Sequence, residues 1–173
     1  MGKSTLINAF LGQKVAAVSP KPQTTRQRQL GILNMQDAQL IFVDTPGIHI
    51  PHHKLGRAMN AVASEVLMDV DVILWIVDVS RSPHEEDHLI ASQLIEIRPL
   101  SPVVLALNKV DALADELQSK REGQYHPLLP SAQPIFISAL TGYQLEQLRT
   151  CLKAFLPVGE PLYPPDQITD FYE

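Results

Sequence analysis

Two rhythms of apolar residues alternate along the chain. A helical period sets Leu6, Ile7, Phe10 and Leu11 on one side of residues 4–12, STLINAFLG, and Gly12 ends the run. QLGILN at 29–34 and QLIFVD at 39–44 read as neighbouring strands, with turn residues from Asn34 to Asp37 between them. The helical period returns over roughly 55–68 through Leu55, Met59, Val62 and Val66. DVILWIVDVS at 71–80 is apolar without a break, as a strand covered on both faces should be. Residues 84–97 follow as an amphipathic helix opened by Glu85, Glu86 and Asp87. PVVLALNKVD supplies the next strand, 114–122 a charged helix, PIFISA a last strand and 143–155 a last helix. Strand and helix in alternation predict an α/β fold with a mostly parallel sheet and helices on both faces. From Pro157 onward the chain has four prolines and little periodicity, which reads as a linker or tail rather than a packed element.

Composition narrows this picture. At 173 residues with 45% hydrophobic positions, the chain is long enough to bury a substantial core as one domain. VILWIV at 72–77 is far too short to span a bilayer, and nothing at the start reads as a secretory leader. Cys151 is the sole cysteine and has no disulfide partner within the chain, which fits a reducing cytoplasm. The net charge of −5 argues against a domain that coats nucleic acid by itself, and no DNA partner is expected.

Four short stretches carry chemistry, each where a strand gives way to a loop or a helix begins. In GKST (Gly2, Lys3, Ser4, Thr5), Lys3 suits β- and γ-phosphates, the Ser4 hydroxyl suits Mg²⁺, and amides at the helix start point at phosphate. A plain helix start with Ser4 as its cap accounts for the same residues. In FVDTPGIH a strand ends in Asp44, where open α/β sheets bind ligands. The D-x-x-G spacing lets Asp44 hold a metal through water while the Gly47 N–H meets a γ-phosphate; a Pro-Gly turn after a strand also fits.

LALNKVDAL is more specific. The Asp111 carboxylate matches the paired N–H donors of guanine, and adenine would leave it unpaired at a cost of about 1–3 kcal/mol. Lys109 can lay its stem over the base, and Asn108 can brace this loop against the phosphate loop. In FISAL, backbone amides at Ser138 and Ala139, with Leu140 beside them, suit the guanine O6. Taken in chain order, GKS, DTPG, NKVD and SAL spell out a site for GTP and GDP.

These motifs resemble the translation-factor-like P-loop GTPases. SPKPQTTRQRQLGI at 19–32, DTPGIH and the terminal LYPPDQITD are similar to the Era family, GTPases of small-subunit ribosome assembly, along essentially the whole chain. The resemblance implies a three-layer P-loop NTPase fold and slow GTP hydrolysis. It implies Lys3, Thr25 and Gly47 as catalytic, with Thr25 a switch threonine joining Ser4 and Asp44 on Mg²⁺. Partners implied are 16S rRNA and the small ribosomal subunit, with a peripheral place at the inner face of the cell membrane and a cytoplasmic location. A tRNA-modification or other ribosome-assembly GTPase, or a non-catalytic interaction module, is the alternative.

Departures from the family pattern set further expectations. Met1 stands at the fifth residue of the expected phosphate loop, so residues 1–156 read as a GTPase domain lacking its first strand. Residues 157–173 then lead toward an absent KH-type RNA-binding domain, which in the family makes most RNA contacts. A missing central strand leaves its neighbours unpaired and thins the amide cradle, so weak GTP binding or poor folding is expected. Ile48 stands where Ras-like enzymes carry a water-orienting glutamine, leaving hydrolysis to phosphate and metal electrostatics or a partner. His49, His52 and His53 lack a carboxylate or thiolate to complete a metal site. Lys14, Lys21, Arg26 and Arg28 fit either rRNA phosphates or a solvated loop. Trp75 and Cys151 read as packed.

Overall fold

Three strands whose residues are apolar on both sides organise the molecule, as expected from a sheet covered by two layers. They are β1 (Ile73–Asp78), β2 (Val103–Asn108) and β3 (Gln133–Ile137), all parallel, with β2 in the middle. The computed structural model describes residues 2–12, 29–44, 67, 69–97 and 102–169. Side chains alternate between the faces of this sheet. Ile73, Trp75, Val77, Val103, Leu105 and Leu107 join one cluster with Ile90, Ala91 and Leu94 of α1 (Glu85–Ile97) and Tyr125 of α2 (Gln118–Tyr125). Ile76, Val104, Ala106, Ile135 and Ile137 turn the other way. They meet Leu6 and Phe10 of the N-terminal helix, αN (Lys3–Leu11), and Leu145, Leu148 and Leu152 of α3 (Leu145–Lys153). All six residues of β2 are buried. Each such aliphatic side chain contributes about 1.5–3 kcal/mol through burial, so β2 is the spine of the core. Helices therefore cover both faces of the parallel sheet, and Trp75 lies in the core.

The expected neighbouring strands at 29–34 and 39–44 form an antiparallel hairpin, βA (Gln29–Asn34) and βB (Gln39–Asp44), paired from Gln29↔Asp44 to Asn34↔Gln39. Among the described residues this hairpin is a separate two-stranded sheet. Side-chain packing attaches it to the body. The Phe10 and Phe42 rings stack with centroids 5.1 Å apart, and Leu40 enters the α3-side cluster. Gly31 in βA lets αN approach closely, since a Cβ there would lie 3.1 Å from both Ile7 and Leu11 side-chain carbons.

Local chemistry moves some boundaries. The charged helix expected at 114–122 begins as a 3-10 turn at Asp115–Leu117 and becomes helical only at Gln118. The last helix starts at Leu145, because Gly142 (φ 86°) and Gln144 (φ 55°) hold left-handed backbone just before it. Most of the segment expected as a helix over 55–68 lies outside the described residues. Among the described residues, no helix is long and apolar enough to cross a membrane.

The proline-rich tail does pack, at least to Thr169. Gln39 Oε1 accepts the N–H groups of Leu162 (2.9 Å) and Tyr163 (3.0 Å), while its Nε2 donates to the Tyr163 carbonyl (2.9 Å). Asn34 Nδ2 donates to the carbonyls of Pro165 (2.9 Å) and Gln167 (3.2 Å). The Ile32 N–H then donates to the Ile168 carbonyl, and Gly31 bridges Thr169 in antiparallel sense. Few apolar groups signal this docking, because two amide side chains of the hairpin perform it. Replacing Gln39 with alanine should strip three hydrogen bonds from the tail and cost about 1–3 kcal/mol of local stability. Limited proteolysis should then cut between residues 160 and 169 at least several-fold faster than in the unaltered chain.

Candidate functional site

The carboxyl ends of β1, β2 and β3 and the start of αN meet at one edge of the sheet. Asn108 closes β2 and stands opposite Asp78 in β1 and Ile137 in β3. Its side chain is 2% exposed, and Oδ1 accepts the Ala139 N–H at 2.9 Å. A Cβ on Gly2 would fall 2.6 Å from Asn108 Nδ2, so the GKST stretch touches the same amide. Gly2 itself has φ 92° and ψ 20°, a left-handed entry to αN open to glycine because it lacks a Cβ. The Gly2 carbonyl accepts the Leu6 N–H at 2.9 Å, and no side chain caps the helix start. The opening amides of αN, at Lys3, Ser4 and Thr5, are among those a helix cannot satisfy internally. Ser4 and Thr5 are half-buried. Three motifs far apart in sequence are thus joined through one asparagine.

Lys109 follows with φ 70° and ψ 36°, left-handed despite its side chain. Its Nζ lies 2.5 Å from Asp78 Oδ2. Asp78 Oδ1 accepts both the Ser80 N–H (3.1 Å) and the Ser80 hydroxyl (2.6 Å). Burial pushes the Asp78 pKa upward, but the Lys109 ammonium and the Ser80 donors outweigh it and hold the carboxyl below the ordinary aspartate range. A depressed folded-state pKa means that the stabilisation is complete above the ordinary aspartate range and is lost as pH falls through the lowered value.

Asp111 is exposed on the 3-10 turn Val110–Ala112, beyond the end of β2. Ser138 is fully buried; its N–H donates to the Tyr143 carbonyl (3.2 Å), and its Oγ accepts the Thr141 N–H (3.1 Å). Ala139 is buried and Leu140 is 79% exposed. The Ser138 and Ala139 amides both have partners within the chain. Asp44 is the last residue of βB. Thr25, Gly47, Ile48, the three histidines at 49, 52 and 53, and Lys14, Lys21, Arg26 and Arg28 lie outside the described residues. Cys151 packs against the α3-side cluster, and burial raises its thiol pKa. The residue missed in the sequence is Asp78. Its sequence signal is the same as that of Asp44, an acid closing a strand, but it lies within the longer apolar run at 71–80.

Comparison with known proteins follows the same motifs. Residues 1–109 match the model of the 50S ribosome-binding GTPase family. GTPase Era of Azotobacter vinelandii is 46% identical over 172 residues, and that of Heliobacterium modesticaldum 42% over 170. Each alignment takes in 98% of this chain and 56% of the relative, so the chain spans about half the length of the curated relatives it matches. A crystal structure of Era in complex with MgGDPNP and nucleotides 1506–1542 of 16S ribosomal RNA superposes with a TM-score of 0.88 at 39% identity. That match covers 99% of this chain and 58% of the other.

The Asn108 junction makes two stability predictions. Gly2→Ala should cost about 1–2 kcal/mol for left-handed backbone, and more if the new methyl displaces the Asn108 amide. Asn108→Ala should cost about 1–3 kcal/mol by leaving the buried Ala139 N–H unpaired. Urea unfolding measures both, and the double variant should lose less than the sum because the two changes strike one amide.

Proposed function

The chain belongs to the 50S ribosome-binding GTPase family, and from that premise we propose that it binds GTP and GDP and hydrolyses GTP as an Era-type switch. The observation that carries this reading is the junction of Gly2, Asn108 and Ala139, which gathers three guanine-nucleotide motifs at the carboxyl edge of a parallel sheet. Guanine is recognised by Asp111, whose exposed carboxylate is open to the ring N–H and exocyclic amine. The Lys109 stem lies against the base. The Ala139 N–H reaches the guanine O6 by sharing its hydrogen with Asn108 Oδ1, and Ser138 and Leu140 frame that loop.

Phosphate falls to the start of αN. Glycine at residue 2 keeps the backbone approachable, and uncapped first-turn amides suit an anion. Lys3 adds a charge for the β- and γ-phosphates, and Gly47 an N–H for the γ-phosphate. The donor set also fits Mg²⁺, a hard cation that takes few protein oxygens alongside phosphate: the Ser4 hydroxyl, Asp44 and Thr25 would hold it. When bound, the ion neutralises charge that builds on the phosphates. Ile48 brings no polar group to an attacking water, so unassisted turnover is slow, on the order of 10⁻⁴ per second as in a comparable unassisted GTPase.

The crystal structure of Era with a 16S rRNA fragment supports a role in small-subunit assembly, and the family resemblance assigns most RNA contacts to a KH-type domain. Residues 1–156 are proposed as the GTPase unit and 157–173 as the segment that leads from it. A cytoplasmic location fits the sole cysteine and the family resemblance, and peripheral contact at the inner membrane face rests on the resemblance alone.

Exchanging Asp111 for asparagine tests the base assignment. Asparagine turns an acceptor into a donor, so GDP affinity should drop at least about tenfold while XDP binding rises. Fluorescence titration with mant-GDP and mant-XDP reads both. A variant that still prefers guanine to xanthine removes Asp111 from the site.

A further inference from the structure

The turn after β1 is tied down more firmly than a surface connection requires. The Tyr125 hydroxyl donates to the Asp78 carbonyl (3.1 Å) and lies 3.3 Å from that of Arg81. Arg121 Nε donates to the Val79 carbonyl (2.9 Å), and its Nη1 to the Ser82 hydroxyl (2.6 Å). The Val79 N–H extends the ladder to the Asn108 carbonyl. What this scaffold presents is one carboxylate. Asp78 is 8% exposed, takes two hydrogen bonds from Ser80 on one oxygen, and offers the other to the Lys109 ammonium. A buried acid this constrained does not follow its partner; the lysine follows the acid.

We propose that Asp78 is the positioning residue of the nucleotide site, anchoring the Lys109 ammonium so that the lysine stem is set in place before a purine arrives. The proposal rests on the guanine-nucleotide reading above and names a determinant that lies outside the NKVD stretch. A free lysine side chain samples many rotamers, and ordering it on binding subtracts from affinity. Here the ammonium is engaged while the Lys109 side chain keeps 44% of its surface open. Methylene surface is thereby left for a ring to lie on. The left-handed backbone at Lys109 belongs to the same arrangement: it starts the side chain from the residue between Asn108 and Val110, one step from the β2 ladder facing Asp78. Asp78 acts on any purine through stacking, whereas Asp111 chooses the base.

Asp78→Asn keeps the size and the Ser80 acceptor and removes the charge. It should weaken mant-GDP binding about tenfold, chiefly through lost pre-ordering of Lys109. Lys109→Met retains an apolar stem but has no ammonium to anchor, so Asp78→Asn added to it should weaken binding no further. A second variant, Ser80→Ala, should give a smaller loss that also disappears in the Lys109→Met background. In an Asp111→Asn chain the Asp78 effect on mant-XDP should match that on mant-GDP in the parent. Equal GDP binding by Asp78→Asn and the unaltered chain overturns the proposal and leaves the guanine site standing. An undiminished Asp78 effect in the Lys109→Met background also overturns it, marking Asp78 as a strut between strands. An unaltered chain that folds cooperatively and binds no guanine nucleotide removes the guanine-site reading and this proposal together.

Discussion

One buried amide holds the site edge together. Asn108 is the last residue of the central strand, so its backbone position is set by the best-buried element of the fold. Its side chain has no water to fall back on and takes the Ala139 N–H on one side while lying against Gly2 on the other. A buried amide left without partners is costly, which makes the contacts mutually enforcing. Moving the loop after β3 would break the Ala139–Asn108 hydrogen bond, and losing Asn108 would remove both that bond and the group that Gly2 lies against.

Around that junction the molecule divides into a part held by ladders and a part held by packing. The loops assigned to the base leave from β2 and β3, hydrogen-bonded neighbours in one sheet. The helix assigned to phosphate reaches the sheet through side chains, chiefly Leu6 and Phe10, and is secured at its far end by Arg149. That guanidinium donates to the Phe10 carbonyl at 3.1 Å and sits 5.2 Å from the Phe10 ring centroid. The hairpin is attached in the same way, through the Phe10–Phe42 stack and Leu40. Phe10 is therefore shared by helix, hairpin and α3, and its burial transmits position among them.

Much of this was legible because the relevant signals are local. The apolar runs at 72–77 and 103–107 read as strands, and both supply strands of the parallel sheet with side chains in the clusters on its two faces. The motif residues Gly2, Asn108 and Ala139 were readable in the sequence, and the contact among them follows from strands ending at one edge. Other features depend on partners distant in the chain. Docking of the tail needs Gln39 and Asn34, more than a hundred residues away and unremarkable as hairpin amides. The delayed start of the last helix follows from left-handed backbone at Gln144, which glutamine does not advertise. Asp78 lies inside the apolar run at 71–80, so only the fold shows that it closes β1 and stands beside Lys109.

The distribution of order also constrains how a nucleotide acts on the chain. In the proposed site, a base at the Asn108–Asp111 loop and phosphates at the αN amides would together span the boundary between ladder and packing. A ligand that binds the joined arrangement stabilises it in proportion to its affinity for that arrangement over the separated one. The base half, fixed to β2 and to the Asp78 scaffold, has little to gain in order. The gain falls on αN and, through Phe10 and Phe42, on the hairpin that Gly31 brings against Ile7 and Leu11. That hairpin also carries the tail through Gln39 and Asn34. Packing through Phe10 and Phe42 and the hydrogen bonds of Gln39 and Asn34 thus join αN, the hairpin and the chain up to Thr169, while the loops after β2 and β3 stay on the parallel ladder.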